Sequence, residues 1–573
     1  MPFIYDIKRL LLGPLPSPRL VDNLPPEILA GVFSNIVTSH SYHYTEEVAA
    51  LLEEEALVFR RASQVSRFWR DVALHQCKGI WGSIINIDTS SAAWVEELIR
   101  RSKNSPLTIQ SLPSRRDPDE DFRGDKWTSV LAQMGRVKVL HFTLGCHEDA
   151  SQLMYATSNL QAPLLESFRI GYECLCAWEP GQSLFSFNAR LFDNHCPNLR
   201  DFVLTRVPFT QPTMIFSDIR LAHLDINPDL FSAGPTVSQW LDVLETQPSL
   251  RYLTMVVPSM SGADGYPMVL REVCLPNLEE LSIETTGIEG VDIFASLVLP
   301  SHCGIAIQIM EENEEFNPFA RLIEILGEGI RGCVKRWSGK GSGSAKKLAI
   351  ESWGLEVGEK YFAFRLGSDD DEWYNPRIQV HYCCLDGDAG EEEEVLSVLP
   401  SFLDMIQRRG IVDAARSCTL DIQSCLTALV GPVDLLSRCT RNVTHLRLMG
   451  HSLWFVCGLS RRPDPVAGTA LFPALHHITF EGPYIDDSEF EHAFGHFESF
   501  LHSMSASGRG FRGIPTTMLH IDMKYEVHVR FAENAKSSFG SRIETYVPHR
   551  AFEELGEPRY WIGDDELRVL ARL

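Results

Sequence analysis

Residues 278–283 read LEELSI, with apolar side chains at the first, fourth and sixth positions. The same kernel, apolar-x-x-apolar-x-apolar, also starts at Val137, Leu165, Leu199, Leu221 and Leu250, and again at Val443 and Leu475. The six starts up to residue 278 are separated by 28, 34, 22, 29 and 28 residues. A unit of this length forms one short strand and a return segment, and it buries its apolar side only by stacking on its neighbours. The spacing therefore predicts an α/β fold with a curved parallel sheet and outer helices.

Residues 85–573 resemble an irregular leucine-rich-repeat-like solenoid, because such repeats share this kernel and spacing. The asparagine that follows the kernel in regular repeats is missing. An ordinary α/β domain whose strands begin with the same kernel is the alternative. Around residues 311–394 the kernels give way to acidic runs at 311–315, 369–372 and 391–394 and to a Gly/Ser stretch at 337–344, which we expect to be solvated loops. Strands are expected again at the apolar pairs Leu348/Ile350, Phe362/Phe364 and Ile378/Val380.

A separate pattern in residues 20–84 predicts two helices after an N-terminal tail, 1–19. The stretch 24–29 reads LPPEIL, and its prolines suit the first turn of a helix, where a missing N–H is harmless. An apolar stripe follows at Ile28, Leu29, Val32, Phe33 and Ile36. A second helix is expected from about Val58 to Ala73, with one apolar face and one arginine-rich face. The acidic insertion Ser39–Ala56 separates the two helices, and we expect it to be solvated and tolerant of deletion.

The two helices carry more apolar surface than so short a segment can bury by itself. A small helical module has little core of its own, and each large apolar side chain left in water forgoes about 1.5–3 kcal/mol. A private helical core is one explanation of the stripes. The explanation that we favour is that a helix of another chain completes one face.

These residues resemble an F-box, the short helical module that docks onto the Skp adaptor of SCF-type cullin–RING ubiquitin ligases. The resemblance rests on the Leu-Pro-x-Glu start at Leu24, on the Val-x-x-x-Trp-Arg pattern from Val65, and on the closing Trp81. The acidic insertion and Ser66, where the family often has cysteine, depart from the pattern. The overall layout resembles the F-box proteins with leucine-rich-repeat-like domains of mushroom-forming fungi. By this resemblance, the adaptor-binding face is formed or supported by Leu24, Pro25, Ile28, Leu29, Phe33, Val65, Trp69 and Trp81.

The resemblance implies a substrate-recognition subunit, which binds the Skp-family adaptor through the F-box and a protein target through the repeats. A protein-interaction scaffold with a vestigial F-box, outside any ligase, is the alternative. The sequence does not identify the target. The net charge of −24 favours a target with a basic segment, since acidic loops accelerate the encounter with basic partners. Acidic loops that serve only solubility are the other interpretation.

Composition limits the other functions. With 52 basic and 76 acidic residues, the chain is expected to repel nucleic acid and anionic membrane surfaces. No stretch approaches the ~18 apolar residues that cross a bilayer, and Asp6 lies where a secretory signal would be basic, so we expect a cytoplasmic or nuclear protein. The 14 cysteines include no C-x-x-C pair and are expected to be reduced. Phosphate-loop, nucleophile-elbow and zinc-protease motifs are missing, so no enzymatic activity, metal or cofactor is expected.

Overall fold

The computed structural model has a mixed α/β fold in which helices accompany mostly parallel sheet. It falls into two compact units, Met1–Val256 and Val257–Leu573. The described residues are 24–37, 46–111, 124–144, 157–172, 191–206, 216, 219–228, 235–258, 271–311, 319–338, 350–357, 361–367, 377–384, 392–422, 433–450, 452, 474–475, 477–481, 517–521, 543–546 and 568–569.

The first described elements of the first unit are four helices, which we call the helical segment: α1 Pro26–Ser34, α2 Glu46–Ala62, α3 Arg67–His75 and α4 Lys78–Ser83. The prediction of one helix from Val58 to Ala73 is wrong, because the chain breaks between α2 and α3. Ser66 has extended backbone angles, φ −149° and ψ 170°, and its side-chain oxygen accepts a hydrogen bond from the Trp69 N–H at 3.2 Å. Ser66 is therefore the N-cap of a new helix, and a cap of this type stabilises a helix by about 1 kcal/mol.

The acidic insertion is only partly separate from the helices. Residues 46–56 form the first part of α2, and Glu55 and Ala56 are buried. The expectation that all of Ser39–Ala56 would be solvated is therefore wrong at Glu55 and Ala56, since Ala56, Phe59 and Ala62 lie on one buried side of α2, whereas Glu53 and Glu54 are exposed. Residues 38–45 lie outside the described part of the chain.

After the helical segment, the described residues of the first unit form seven parallel strands that pair in chain order. The strands are β1 Ile85–Asn86, β2 Leu107–Gln110, β3 Val137–Leu144, β4 Ser167–Tyr172, β5 Asp201–Thr205, β6 His223–Asn227 and β7 Tyr252–Val257. The accompanying helices are α5 Ala92–Ser102, α6 Gly124–Leu131 and α7 Val237–Glu245, with 3-10 turns at Met134–Arg136 and Leu191–Asn194. The kernels thus fall on strands, as predicted.

The register explains why the kernel has its form. Each strand places the fourth kernel residue beside the fourth residue of the next strand, which gives the row Leu140, Phe168, Phe202, Leu224 and Leu253. The sixth kernel residues form a second row two positions further on: Phe142, Ile170, Leu204, Ile226 and Met255. None of these ten side chains is more than 2% exposed. Residues two apart lie on the same face of a strand. The fourth and sixth positions of the kernel are therefore apolar because both side chains lie on the buried face of the sheet.

The second unit contains a larger sheet whose strands do not all pair in chain order. Its strands are β8 Val273–Cys274, β9 Glu280–Thr285, β10 Leu297–Val298, β11 Gly304–Glu311, β12 Ser352–Val357, β13 Tyr361–Gly367, β14 Ile378–Cys384, β15 Ser417–Ile422, β16 His445–Gly450, β17 His477–Glu481, β18 Thr517–Ile521, β19 Ile543–Tyr546 and β20 Arg568–Val569. Its helices are α8 Ile288–Ser296, α9 Phe319–Ser338, α10 Glu392–Arg408 and α11 Val433–Cys439. Strands β8 and β10 form a separate parallel pair, whereas the others from β9 onward belong to the main sheet.

Among the described strands, β13 is inverted within the main sheet of the second unit, and β20 is antiparallel to β19. The order of this sheet runs β9, β11, β14, β13, β12, β15, β16, β17, β18, β19, β20, and β13 is antiparallel to both β12 and β14. Only three residues separate β12 from β13, too few for a parallel crossover, so the chain forms a hairpin there. Strands at Phe362/Phe364 and Ile378/Val380 are confirmed. The strand expected at Leu348/Ile350 is misplaced, since β12 begins at Ser352 and Leu348 lies outside the described residues.

Most of the predicted loops around 311–394 lie outside the described residues, including 312–318, 339–349 and 368–376. Glu392–Glu394, however, begin α10 and are not a loop; acidic residues favour the first turn of a helix because of its dipole. The Gly/Ser stretch likewise starts within α9, which extends to Ser338. Within the part of the chain that the structure describes, no helix is both long enough and apolar enough to cross a membrane.

Candidate functional site

The eight residues expected at the adaptor-binding face divide into a buried and an exposed group. Leu29, Phe33, Trp69 and Trp81 are buried, with 7% exposure at most. Pro25, Ile28 and Val65 are exposed, and Leu24 is half-buried. The buried group can support a binding face but cannot contact a partner, so only the exposed group is available for contacts.

Three residues of the buried group, Phe33, Trp69 and Trp81, form an aromatic core together with Phe59, which the sequence interpretation missed. The Phe33 ring lies 5.6 Å from that of Phe59 and 5.4 Å from that of Trp69, and the Phe59 ring lies 4.7 Å from that of Trp81. The Trp81 indole N–H donates to the Ala73 carbonyl at 2.8 Å, whereas the buried Trp69 N–H has no hydrogen-bond partner in the described structure. The periodicity of α2 could have identified Phe59, which lies three residues after the buried Ala56 and three before the buried Ala62.

Helix α5 completes this core from the same chain. The Trp94 ring is 6.5 Å from the Trp81 ring, and the Arg101 guanidinium lies 4.6 Å from the Trp81 ring centre and 5.2 Å from that of Trp94. The guanidinium of Arg60, from α2, lies 5.0 Å from the centre of the Trp94 ring. Cation–π contacts of this kind contribute about 0.5–2 kcal/mol each. The helical segment is therefore anchored to α5, the helix that follows it in the chain.

Exposed apolar side chains are concentrated on the helical segment. Among the described residues, the exposed large hydrophobic side chains are Ile28 (55%), Leu57 (42%), Val65 (55%) and Leu164 (42%), and the first three belong to this segment. Leu57 was not among the predicted contact residues. Val65 was expected inside a helix but lies in the turn before Ser66, which leaves its side chain in solvent. Scattered single exposures need no explanation, but three within the helical segment make it the candidate for a contact surface.

A second constellation lies on the sheet of the first unit, where four strands bring polar residues into contact. Asp201 is 1% exposed and accepts hydrogen bonds from Ser167 Oγ, from His223 Nδ1 at 2.5 Å and from Arg169 Nε at 3.1 Å. His141 Nε2 lies 2.8 Å from Ser167 Oγ. Ser167, Asp201 and His223 each occupy the third position of a kernel, and the register aligns them in one row. That shared kernel position is the signal that the sequence interpretation overlooked.

The charges of this row follow from its hydrogen bonds. Burial opposes ionisation of Asp201, but the hydrogen bonds from His223 and Ser167, with the charge of Arg169, lower its pKa on balance. Burial lowers the pKa of His141 to about 3, aided by Arg169 and opposed by Asp201, so its imidazole is neutral. The ionised Asp201 can only accept, so Ser167 donates to it and His141 Nε2 donates to Ser167.

This arrangement is not that of a nucleophile with its base. A catalytic serine needs a histidine nitrogen free to take its proton, and that histidine must be oriented by the carboxylate. Here the serine lies between the histidine and the carboxylate, and the His141 nitrogen that faces it already carries a proton. The row therefore holds four strands in register rather than activating Ser167.

The second unit carries a smaller polar cluster on β12 and β13. Glu356 accepts from the Tyr361 hydroxyl at 2.8 Å and from Arg365 Nη2 at 2.6 Å. The Tyr361 ring lies 5.2 Å from the ring of His381, whose pKa is lowered mainly by burial. The described residues contain no group of three or more His, Cys, Asp or Glu side chains placed to hold a metal ion.

The cysteines that the structure describes are free thiols, and six of the eight are buried. Burial raises the pKa of Cys303 and of Cys439 to about 12, so these thiols stay protonated. Together with the polar clusters, this leaves the exposed apolar side chains of the helical segment as the candidate site. No family model matches the sequence, and no curated protein is significantly similar to it.

Proposed function

We propose that this chain is the substrate-recognition subunit of an SCF-type cullin–RING ubiquitin ligase. The helical segment acts as the F-box and binds the Skp-family adaptor, and the leucine-rich-repeat-like strands and helices hold a protein target. Tethering raises the effective concentration of the target at the ubiquitin-loading end of the ligase. The observation that carries the proposal is the exposure of Ile28, Leu57 and Val65 on a segment whose own core is already filled.

The proposal is tested by capture of a purified Skp-family adaptor on the full-length chain. Ile28→Asp and Val65→Asp place a charge on the exposed apolar surface without touching the aromatic core, and we expect each to weaken adaptor binding at least tenfold. Leu164→Asp is the matched control, because the Leu164 side chain is also apolar and 42% exposed but lies outside the helical segment. Equal binding by all three variants would remove the helical segment from the interface.

A scaffold outside any ligase is the second candidate, and one observation favours it. Trp94 and Arg101 of α5 complete the helical core, so the segment does not need an adaptor in order to be packed. The two functions differ in what accompanies the chain in native extract. A ligase subunit brings down cullin together with the adaptor, and blocking the proteasome increases the amount of its target. A scaffold brings down neither cullin nor a target that accumulates.

For the target, we propose a protein with a basic segment. The support is the net charge of −24, which attracts basic partners over roughly 8 Å at physiological salt. Association with such a target should slow steeply as salt rises. Replacing Glu391–Glu394 by glutamine should slow association more than it speeds dissociation. An association rate that ignores both changes would leave the acidic runs with a role in solubility.

A further inference from the structure

One stretch of the helical segment has a charge opposite to that of the whole chain. Residues 61–70 read RASQVSRFWR, with three arginines and no acidic residue, in a chain whose net charge is −24. Arg61, Arg67 and Arg70 are all exposed. With the exposed Val65 they form what we call the basic tip.

Local geometry keeps the basic tip compact. Two backbone hydrogen bonds close the turn between α2 and α3, from Gln64 N–H to the Arg61 carbonyl at 2.9 Å and from Val65 N–H to the Ala62 carbonyl at 3.2 Å. Arg67 and Arg70 are three residues apart on α3 and therefore lie on the same side of that helix. Val65, 55% exposed, stands in the turn between the arginines of the two helices.

Among the described residues, these three charges take part in no ion pair. By contrast, Arg101 pairs with Glu97 at 2.7 Å and Arg169 pairs with Asp201 at 3.1 Å. Arg67 and Arg70 stand in the first turn of α3, where the helix dipole disfavours cations. Replacing them should therefore leave the helical segment folded, and any effect on binding can be read as an effect at the interface.

We propose that the basic tip recognises an acidic protein surface, with Val65 as its apolar contact; the identity of that partner as the Skp-family adaptor rests on the proposed function. An acidic partner is repelled by most of a chain with net charge −24 and attracted only where positive charge is local. The tip thus fixes the orientation of approach as well as the choice of partner. Such charges act mainly on the association rate.

The test compares two variants of the full-length chain that have the same net charge. Arg61→Glu/Arg67→Glu/Arg70→Glu reverses the tip, and Arg331→Glu/Arg438→Glu/Arg441→Glu reverses three arginines that are exposed elsewhere. Both variants change the net charge from −24 by six units. At low salt, we expect the tip variant to bind a purified Skp-family adaptor with an association rate at least tenfold lower than the control variant. The difference should shrink several-fold at 0.5 M salt, where the screening length falls to about 4 Å.

The outcomes separate this inference from the proposed function. If the adaptor binds and the two triple variants associate at the same rate, the tip has no role in recognition and the proposed function stands. If the adaptor does not bind the unaltered chain, the proposed function fails, and an oligoglutamate peptide replaces it as the probe. Chemical cross-linking of that peptide to the tip, lost in the tip variant and kept in the control, supports an acidic partner. Cross-linking that is equal in both variants overturns the inference.

Discussion

Two tryptophans of the helical core offer a matched pair of substitutions. Trp81→Phe removes an indole N–H that donates to the Ala73 carbonyl at 2.8 Å, whereas Trp69→Phe removes a buried N–H without a described partner. Each change deletes the same atoms from a site that is at most 7% exposed, so the cavities that the two changes leave should cost similar free energies of unfolding. Losing a buried hydrogen bond costs about 1–3 kcal/mol, and removing an unsatisfied buried donor returns a comparable amount. We expect Trp81→Phe to be more destabilising than Trp69→Phe by about 2 kcal/mol or more.

Hydrogen exchange during urea unfolding measures this difference locally. Peptides from residues 26–83 report the free energy of opening of the helical segment, and peptides from β15 and β16 in the second unit serve as an internal reference. The free energy of opening measured from the reference peptides should be the same in both variants. Equal losses of stability in the two variants would mean that the Trp81 hydrogen bond contributes nothing net, and the account of the core would be wrong.

Three further predictions concern packing and charge. Phe59→Ala should destabilise the helical segment by about 3–5 kcal/mol in the same assay, because the ring is 0% exposed and lies against Phe33 and Trp81; a loss below 1 kcal/mol would contradict its place in the core. Asp201→Asn should destabilise β3–β6 by about 3 kcal/mol, since it leaves Arg169 charged and only 13% exposed, and adding Arg169→Met should recover part of that loss in a double-mutant cycle. His141 has a pKa of about 3 in the fold and about 6.5 when unfolded, so the unfolded state gains protons below about pH 6.5 and stability falls as the solution is acidified. Between pH 7 and pH 5 this amounts to about 2 kcal/mol, and urea unfolding of His141→Gln at the two pH values should lack that share of the pH dependence.

The strands were predictable because the kernel records a single requirement, two apolar residues two positions apart on a buried face. The break between α2 and α3 was not, because the apolar stripe Val58, Ala62, Val65, Trp69 continues through it at helical spacing. The side chain of Ser66 caps α3 and so marks the start of a new helix. In the sequence, a serine at this position is equally compatible with an exposed residue inside one continuous helix. Periodicity reports which side of a segment is apolar but not whether the segment is continuous.

The candidate site was predictable as a set of residues but not as a surface. Ile28 and Leu29 are adjacent, of equal size and equally apolar, yet one is 55% exposed and the other 1%. Leu29 lies four residues before the buried Phe33 and shares its side of α1, and Phe33 packs against Phe59 and Trp69, so the position of the aromatic core determines which side of α1 is buried. The row of Ser167, Asp201 and His223 was missed for a related reason, since these residues are 34 and 22 positions apart and meet only through strand register.

The inverted strand of the second unit affects how the chain can be synthesised and shortened. In the first unit each new strand pairs with the strand made just before it, so folding can follow the ribosome one strand at a time. Strand β12 instead emerges before either of its partners, β13 and β15, and β14 returns to pair with β11. A chain that ends before Tyr361 therefore leaves β12 without either of its partners, and a chain that ends before Ile378 leaves β11 and β13 without β14. Shorter versions of this protein should accordingly not end between β11 and β15.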